Sequence, residues 1–225
     1  MISYCLPLVC SRCDDVSEAL HKHHASYDFL EVWLDTLTDY SDAFLEHLLA
    51  TYPDRLMLLF RRPKLEPIHM TLEQRFQIMT RMDQSSSILD LDVLTQGEEV
   101  DFYRQKNFTH RWIGSYHNYE RTPSSEELRD IVSRISSSDP WVIKLATYCN
   151  SPSDAVRLLD LGLSLKEKGK RCIVLGMGPH GAVTRTYGTL WYNEMIFAPP
   201  QLEGATAPGQ LTRPELEELL SSLSN

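Results

Sequence analysis

Apolar and polar residues follow each other along this chain in blocks, with short apolar runs separated by segments of helical periodicity. Each run is rich in β-branched, aromatic or leucine residues and is bounded by polar or turn residues, which indicates a strand. Eight strands are predicted, at residues 3–9, 27–34, 55–60, 87–93, 110–117, 141–148, 171–177 and 194–200.

Helical patterns follow most of these strands. Ser124 and Glu127 have the spacing of a capping box at the start of the helix after the fifth strand. After the seventh strand, residues 177–185 are predicted as a glycine-containing loop, followed by the least regular helical pattern at 187–193. Strands and helices therefore alternate along the whole chain.

This alternation predicts an α/β fold, a (β/α)8 TIM barrel that forms a single domain over residues 1–225. An open doubly wound sheet is the main alternative. That fold usually has a glycine-rich turn after its first strand, whereas Cys10 and Cys13 flank the corresponding turn here. Eight units favour the closed barrel.

The composition is that of an ordinary globular protein, with 42% hydrophobic and 24% charged residues among 225. The net charge of −9 argues against nucleic acid as a partner, because phosphates repel an acidic surface. Apolar runs such as 55–60 are too short to span a bilayer, so no membrane association is expected. The first residues lack the basic region of a signal peptide, which predicts a cytoplasmic protein.

Five cysteines, an odd number, favour reduced thiols. Cys10 and Cys13 form a CxxC motif with histidines nearby, but a zinc site needs four well-spaced ligands and no second CxxC is present. We interpret the motif as a loop with incidental thiols and predict no metal site.

Lys144 lies between aliphatic neighbours in the sixth strand, where alternation places it on one face with Val142 and Ala146. If that face points into the barrel, burial disfavours the ammonium and lowers its pKa, which makes a neutral amine available to attack a carbonyl. The alternative is a lysine that extends from an edge strand to solvent.

His117 ends the fifth strand, next to the strand of Lys144, and shares a face with Ile113 and Ser115. An imidazole there can act as general acid and base near neutral pH. A lone histidine is more often a hydrogen-bonded core residue, and its pairing with Lys144 is what favours a catalytic role.

Polar residues follow three other strands at the same rim. Arg62 and Glu66 follow the third strand, Arg185 follows the seventh, and Thr206 and Gln210 follow the eighth. An arginine can bind a carboxylate through two hydrogen bonds. A polar barrel rim would explain the same residues without any role in binding.

Several of these segments resemble motifs of the type I 3-dehydroquinate dehydratases, in order over nearly the whole chain. Residues 115–123 resemble that family's histidine motif, and residues 142–146 its Schiff-base lysine motif. Residues 62–66 are similar to its arginine–glutamate motif, and 177–185 and 205–210 resemble its last two loops.

The resemblance implies a barrel enzyme that dehydrates 3-dehydroquinate to 3-dehydroshikimate in the shikimate pathway, without a metal or organic cofactor. Lys144 would form the Schiff base, His117 would move the protons, and Glu66 would orient His117. Substrate binding would fall to Glu31, Arg62, Arg185, Thr206 and Gln210. The family often forms homodimers, and some relatives carry this domain fused ahead of a shikimate dehydrogenase.

Four positions depart from the family pattern. Trp33 stands where an arginine is usual, which removes one polar contact to the substrate ring. Arg61, beside Arg62, is a candidate replacement, although a shift of one residue at a strand end changes the direction of the side chain. Pro67 and Ile68 replace two glycines and stiffen that loop. Thr206 replaces a serine and keeps the hydroxyl.

Two other functions remain open at this stage. Another Schiff-base barrel, such as a class I aldolase, would share Lys144 but would need neither the histidine motif nor the 205–210 loop. A non-catalytic barrel that binds a metabolite would be consistent with Trp33, but not with the retention of Lys144, His117, Glu66 and Arg185.

Overall fold

A computed structural model of the protein describes residues 2–223. Eight strands and eight helices alternate along them, with short 3₁₀ turns at 24–26, 34–36 and 202–204. The strands are β1 (Tyr4–Leu8), β2 (Phe29–Trp33), β3 (Leu56–Leu59), β4 (Ile88–Asp92), β5 (Arg111–Asn118), β6 (Val142–Tyr148), β7 (Cys172–Met177) and β8 (Ile196–Phe197). The helices are α1 (Cys13–His23), α2 (Asp42–Thr51), α3 (Leu72–Met82), α4 (Gly97–Lys106), α5 (Ser125–Ser136), α6 (Pro152–Glu167), α7 (Ala182–Trp191) and α8 (Arg213–Leu223).

All strand pairs are parallel, and the strand order is β7-β6-β5-β4-β3-β2-β1-β8. A parallel bridge between Cys172 and Asn193 brings β7 to the segment before β8 and nearly closes the ring. The predicted (β/α)8 barrel is confirmed, and the open doubly wound sheet is excluded.

Most predicted boundaries differ from the observed ones by a few residues, and three of the differences involve β8 or residues singled out above. β8 has only two residues, because the chain leaves the ladder soon after Phe197. Helix α1 begins at Cys13, so this cysteine is helical rather than part of a loop. Helix α7 begins at Ala182, which places Arg185 in its first turns and not in a loop. The capping box of Ser124 and Glu127 forms as predicted.

The strands are buried almost throughout, as expected for a parallel sheet whose two faces are covered by side chains and helices. Buried charges break this apolar core chiefly where β2, β4, β5 and β6 face the barrel interior. A second buried group of charges lies beside α3, where Arg75 pairs with Asp35 and Glu99. Among residues 2–223, no helix has the length and apolar character that crossing a bilayer would require.

Candidate active site

A cavity of about 450 Å³ opens among the strand ends and the loops that follow them. In a barrel of this kind, this face carries the active site. The cavity brings together every site residue that the sequence predicted: Glu31, Arg62, Glu66, His117, Lys144, Arg185, Thr206 and Gln210.

Lys144 points into the barrel and is only 5% exposed. Its Nζ atom lies 2.7 Å from Oδ2 of Asp90 and 3.6 Å from Oε1 of Glu31. The Phe197 ring centroid lies 4.2 Å from the same nitrogen. The solvent-directed alternative is therefore wrong. The amine is also not isolated, because two carboxylates lie within 3.6 Å of it.

The two carboxylates beside Lys144 respond differently to their surroundings. Burial alone would raise the pKa of Asp90, but the Lys144 ammonium and the Arg62 guanidinium lower it to about 2. Burial raises the pKa of Glu31, although Lys144 acts in the opposite direction. Asp90 is thus a fixed negative charge, and Glu31 is the carboxylate that accepts a proton more readily.

His117 is held by a carboxylate of the neighbouring strand. Its Nδ1 atom lies 3.1 Å from Oδ2 of Asp92, and its backbone N–H donates to the same oxygen over 2.8 Å. Burial, together with the positive charges of Arg62 and Lys144, lowers the pKa of His117, while Asp92 acts to raise it. A buried imidazole with a lowered pKa is neutral near pH 7 and can accept a proton.

Glu66 has other partners than the one predicted. Its Oε1 atom lies 2.9 Å from Nη1 of Arg62, and its Oε2 accepts the backbone N–H of Arg62 over 2.7 Å. The Tyr119 hydroxyl also donates to Glu66. Between residues 2 and 223, the carboxylate hydrogen-bonded to His117 is Asp92, so the expected direct Glu66–His117 contact is not formed in this structure.

Arg185 is 2% exposed and lines the cavity from α7. Its side chain forms no hydrogen bond or ion pair with any residue of the described chain, and its Nε atom is buried without a partner. Burial lowers its pKa to about 10. Such an unpaired cation is unfavourable until an anion enters the cavity.

The 205–210 loop is fastened over the cavity by its own side chains. Oε1 of Gln210 accepts the backbone N–H of Thr206 over 2.6 Å, and Nε2 donates to the Phe197 carbonyl over 2.9 Å. The loop also contacts the one after β7, where the Gly178 N–H donates to the Pro208 carbonyl over 2.9 Å. Thr206 and Gln210 thus lie at the cavity and organise the loop at the same time.

Trp33 lines the cavity beside Glu31 and Arg62. Its Nε1 atom donates to Oε2 of Glu31 over 3.2 Å, and the Arg62 guanidinium lies 5.1 Å from its ring centroid. Arg61 also lines the cavity, and its Nη1 atom donates to the Pro67 carbonyl over 2.9 Å. Trp33 therefore engages Glu31 and Arg62 rather than adding a positive charge to the site.

Asp90 and Asp92 were not identified as site residues from the sequence. Both lie in β4, two residues apart and therefore on one face, and each is 1% exposed. The sequence did contain a signal for them, namely two carboxylates at alternate positions of an otherwise apolar strand. Such buried carboxylates need cationic or hydrogen-bonding partners, which indicates a polar site.

The CxxC motif contributes no comparable chemistry. Burial raises the pKa of both Cys10 and Cys13, that of Cys13 to about 11 with help from Asp39, which keeps the thiols protonated. No group of three or more potential metal-binding side chains occurs within residues 2–223.

A closed parallel barrel with a buried lysine, a neutral histidine and an unpaired arginine in one cavity defines a class of enzyme that acts on a carbonyl compound through a Schiff base. A model of the family described as type I 3-dehydroquinase matches residues 4–225. The chain belongs to this family.

Individual relatives agree with the family model. The 3-dehydroquinate dehydratase of Thermococcus gammatolerans is 30% identical over 200 residues, covering 87% of this chain and 88% of that protein. The 3-dehydroquinate dehydratase of Pyrococcus abyssi is 26% identical over 213 residues, covering 93% and 94%. The crystal structure of the 3-dehydroquinate dehydratase from Geobacillus kaustophilus superposes with a TM-score of 0.83 at 22% identity, covering 100% of this chain and 91% of that one.

Proposed function

We propose that this protein dehydrates 3-dehydroquinate to 3-dehydroshikimate in the shikimate pathway, with Lys144 as the Schiff-base residue and His117 as the general acid and base. The observation that carries the proposal is that Lys144, His117 and the unpaired Arg185 line one cavity of about 450 Å³. That cavity is large enough for a single six-membered ring with its substituents.

The first stage forms a covalent adduct. Lys144 loses a proton and its nitrogen attacks the C3 ketone to give a carbinolamine. The carbinolamine hydroxyl takes up that proton and leaves as water, which gives an iminium ion. The higher proton affinity of Glu31, 3.6 Å from the amine, makes it a suitable acceptor for the departing proton. The positive iminium withdraws electrons and acidifies the neighbouring C2–H bond.

The second stage eliminates water. His117 removes the C2 proton, and the electron pair passes toward the iminium nitrogen to form an enamine. His117 then gives a proton to the C1 hydroxyl, which leaves as water while the C1–C2 double bond forms. Hydrolysis of the remaining iminium releases the product and frees Lys144. One imidazole serves both proton steps because it is neutral before the first step and charged after it.

Binding of the substrate uses the charged rim. Arg185 pairs with the substrate carboxylate, which supplies the anion that this buried cation lacks. Thr206 and Gln210 bind from the loop above the carboxylate, while Glu31 and Arg62 bind ring hydroxyls. Glu66 acts through Arg62, to which both of its oxygens are hydrogen-bonded.

The test combines product formation with adduct trapping. Incubation with 3-dehydroquinate is expected to produce the enone absorbance of dehydroshikimate. Borohydride added during turnover is expected to give a mass increase located on Lys144, and Lys144→Ala should abolish both signals. His117→Ala should retain adduct but lose turnover by ~10²–10⁴.

Two results would contradict the proposal, and they differ. Trapping of other ketones or aldehydes without any enone product would indicate an aldolase-like enzyme. Absence of any adduct, in a protein that still binds the substrate, would indicate a non-catalytic binding barrel.

The assembly and location are proposals of the same kind. We propose a cytoplasmic homodimer whose only ligand is the small-molecule substrate and which binds no nucleic acid. Exposed apolar side chains form stripes on two neighbouring helices and support self-association: Val183, Leu190 and Trp191 on α7, and Leu219 and Leu223 on α8. Sedimentation should show a dimer that Trp191→Glu weakens, and a wild-type monomer at all concentrations would contradict it.

The five unpaired thiols support the proposed cytoplasmic location. The net charge of −9 supports the proposed lack of nucleic-acid binding.

A further inference from the structure

We infer that Asp92 is the positioning residue of His117: it fixes the imidazole as the Nδ1–H tautomer and so leaves Nε2 as the atom that exchanges protons with substrate. This inference rests on the proposed function, in which His117 carries out the proton transfers. It assigns the role expected for Glu66 to a different carboxylate.

The geometry gives Asp92 two contacts to one residue. Its Oδ2 atom accepts the backbone N–H of His117 over 2.8 Å and lies 3.1 Å from Nδ1 of the ring. The first contact fixes the carboxylate relative to the histidine backbone, and the second fixes the ring relative to the carboxylate. Both groups are buried, so water does not compete for either.

Asp92 is itself held on its other side. Its Oδ1 atom accepts the backbone N–H groups of Leu94 and Thr95 over 3.0 and 3.1 Å. The Asp92 backbone N–H donates to the Gln96 side chain over 2.8 Å. The carboxylate thus accepts three backbone N–H groups, those of Leu94, Thr95 and His117, which makes it a rigid acceptor.

The protonation state of Asp92 decides the tautomer. Burial alone would raise its pKa, but its hydrogen bond to His117, the charge on that ring and the Arg62 guanidinium hold the pKa below the ordinary value. Asp92 is therefore a carboxylate near neutral pH and can only accept. The Nδ1 atom must then carry the hydrogen, and in the neutral ring the lone pair resides on Nε2.

Glu66 is not equivalent to Asp92 in this respect. Its two oxygens are used by the Arg62 side chain and backbone and by the Tyr119 hydroxyl. The Tyr119 ring lies edge-on to His117 with centroids 6.4 Å apart, so it packs against the imidazole without a hydrogen bond. Glu66 thus orders the rim around His117, whereas Asp92 contacts the ring directly.

Several charged or titratable groups influence the proton affinity of His117 or contact it. They are Asp90 and Asp92 on β4, Lys144 on β6, Arg62 after β3, and Tyr119 after β5. Arg62 and Lys144 lower the pKa of His117, and the Asp92 carboxylate raises it. Removal of the negative charge from Asp92 alone must therefore lower the pKa of His117 further.

The experiment compares Asp92→Asn with Glu66→Gln and the conservative Asp92→Glu. In Asp92→Asn, kcat is expected to fall by ~10²–10⁴, because the amide permits the wrong tautomer and removes the oriented base. The acidic limb of kcat/KM should move to lower pH. Glu66→Gln should leave that limb in place even where it alters KM, and Asp92→Glu should restore part of kcat.

A second readout requires no turnover. Long-range ¹H–¹⁵N spectra of unliganded protein, with the His117 signals assigned through His117→Ala, should show the Nδ1–H tautomer in the wild type and lose it in Asp92→Asn. Borohydride trapping on Lys144 should persist in Asp92→Asn. An Nε2–H tautomer in the wild type, or an unmoved acidic limb in Asp92→Asn, would overturn the inference.

The results that would refute the role of Asp92 can be distinguished from those that would refute the proposed function. Absence of wild-type adduct on Lys144 would refute the proposed function and leave the tautomer measurement to decide the role of Asp92 independently. An adduct in the wild type, combined with tautomer loss in Glu66→Gln instead of Asp92→Asn, would refute only the role of Asp92.

Discussion

The Nζ atom of Lys144 lies 2.7 Å from Oδ2 of Asp90, and both groups are buried inside the barrel, on strands β6 and β4 that β5 separates. This contact holds the amine in one place, yet a proton must leave that amine before the nitrogen can attack a ketone. Orientation and activation of the lysine are therefore opposed at this site.

Substitution of Asp90 by asparagine removes the charge but retains the size of the side chain. Although burial acts in the opposite direction, the Lys144 ammonium lowers the pKa of Asp90 to about 2, so the substitution removes a fixed negative charge 2.7 Å from the amine. The pH dependence of borohydride trapping on Lys144 should therefore shift toward lower pH in Asp90→Asn. The matched control is Asp92→Asn on the same strand, in which trapping should keep the wild-type pH dependence. Identical trapping profiles for Asp90→Asn and wild type would contradict this account.

Arg185→Met should make the unliganded protein more stable and bind substrate less well. A neutral side chain of similar length removes an unpaired buried cation, which is expected to raise the free energy of unfolding by about 1–4 kcal/mol. Loss of the charged hydrogen bonds, about 1.5–3 kcal/mol, should weaken substrate binding by at least tenfold. Denaturant unfolding and KM provide the two measurements.

The pH dependence of this stability difference has a definite sign. Burial lowers the Arg185 pKa from its ordinary value to about 10, so the folded state binds this proton less well than the unfolded state. The destabilisation is fully present below a pH of about 10 and declines as the pH rises above it. The difference in free energy of unfolding between Arg185→Met and wild type should therefore narrow as the pH rises above that value.

Arg121→Met is the matched control, because it removes an exposed partner of Glu127. It should change the free energy of unfolding by no more than about 1 kcal/mol and leave KM unchanged.

Gly209→Ala should disturb the loop that covers the cavity. Gly209 has φ of +74°, and an added Cβ would lie 2.6 Å from the Gly178 carbonyl oxygen. The contact between the two loops would have to open, so KM should rise several-fold, as measured by steady-state kinetics. Gly169→Ala is the control, because it has φ of +70° with no atom within 4 Å of the added Cβ. It should reduce stability by about 1 kcal/mol and leave KM unchanged.

The parts of the site that depend on one strand could be predicted from the sequence. Alternation within β5 and β6 placed His117 and Lys144 on inward faces, and the structure pairs Ser115 with Lys144 and His117 with Ala146 in register. A local pattern suffices there, because the face of a residue follows from the faces of its neighbours in the same strand.

The parts of the site that depend on contacts between strands could not be predicted from the sequence. Asp92 pairs in register with Ser115, and only this offset brings its carboxylate to the backbone and ring of His117 two residues further on. The start of α7 was missed for a similar reason. Thr184 is fixed by a hydrogen bond from the Gly176 N–H of β7, a tertiary contact that a glycine-containing sequence does not reveal.

Asp35 should prove the main anchor of the loop that carries Arg62 and Glu66. Its Oδ1 atom accepts the backbone N–H groups of His69 and Met70 over 2.9 and 2.5 Å, and its Oδ2 lies 2.8 Å from Nη2 of Arg75. Asp35→Ala would leave a buried guanidinium and two N–H groups without this acceptor. The free energy of unfolding should fall by about 3–5 kcal/mol, measured by urea denaturation.

The same anchor should affect catalysis, because the loop from β3 to α3 bears Arg62, a proposed partner of the substrate ring. The milder Asp35→Asn, which keeps one acceptor oxygen, should fold and show a raised KM with trapping on Lys144 retained. Arg81→Ala provides the contrast, since Arg81 also contacts two carboxylates but is 40% exposed, and its loss should change stability by less than about 1 kcal/mol. If Asp35→Ala and Arg81→Ala lowered the free energy of unfolding equally, burial would not be the reason for the strength of the Asp35–Arg75 pair. The loop would then be held by its prolines and its apolar contacts instead.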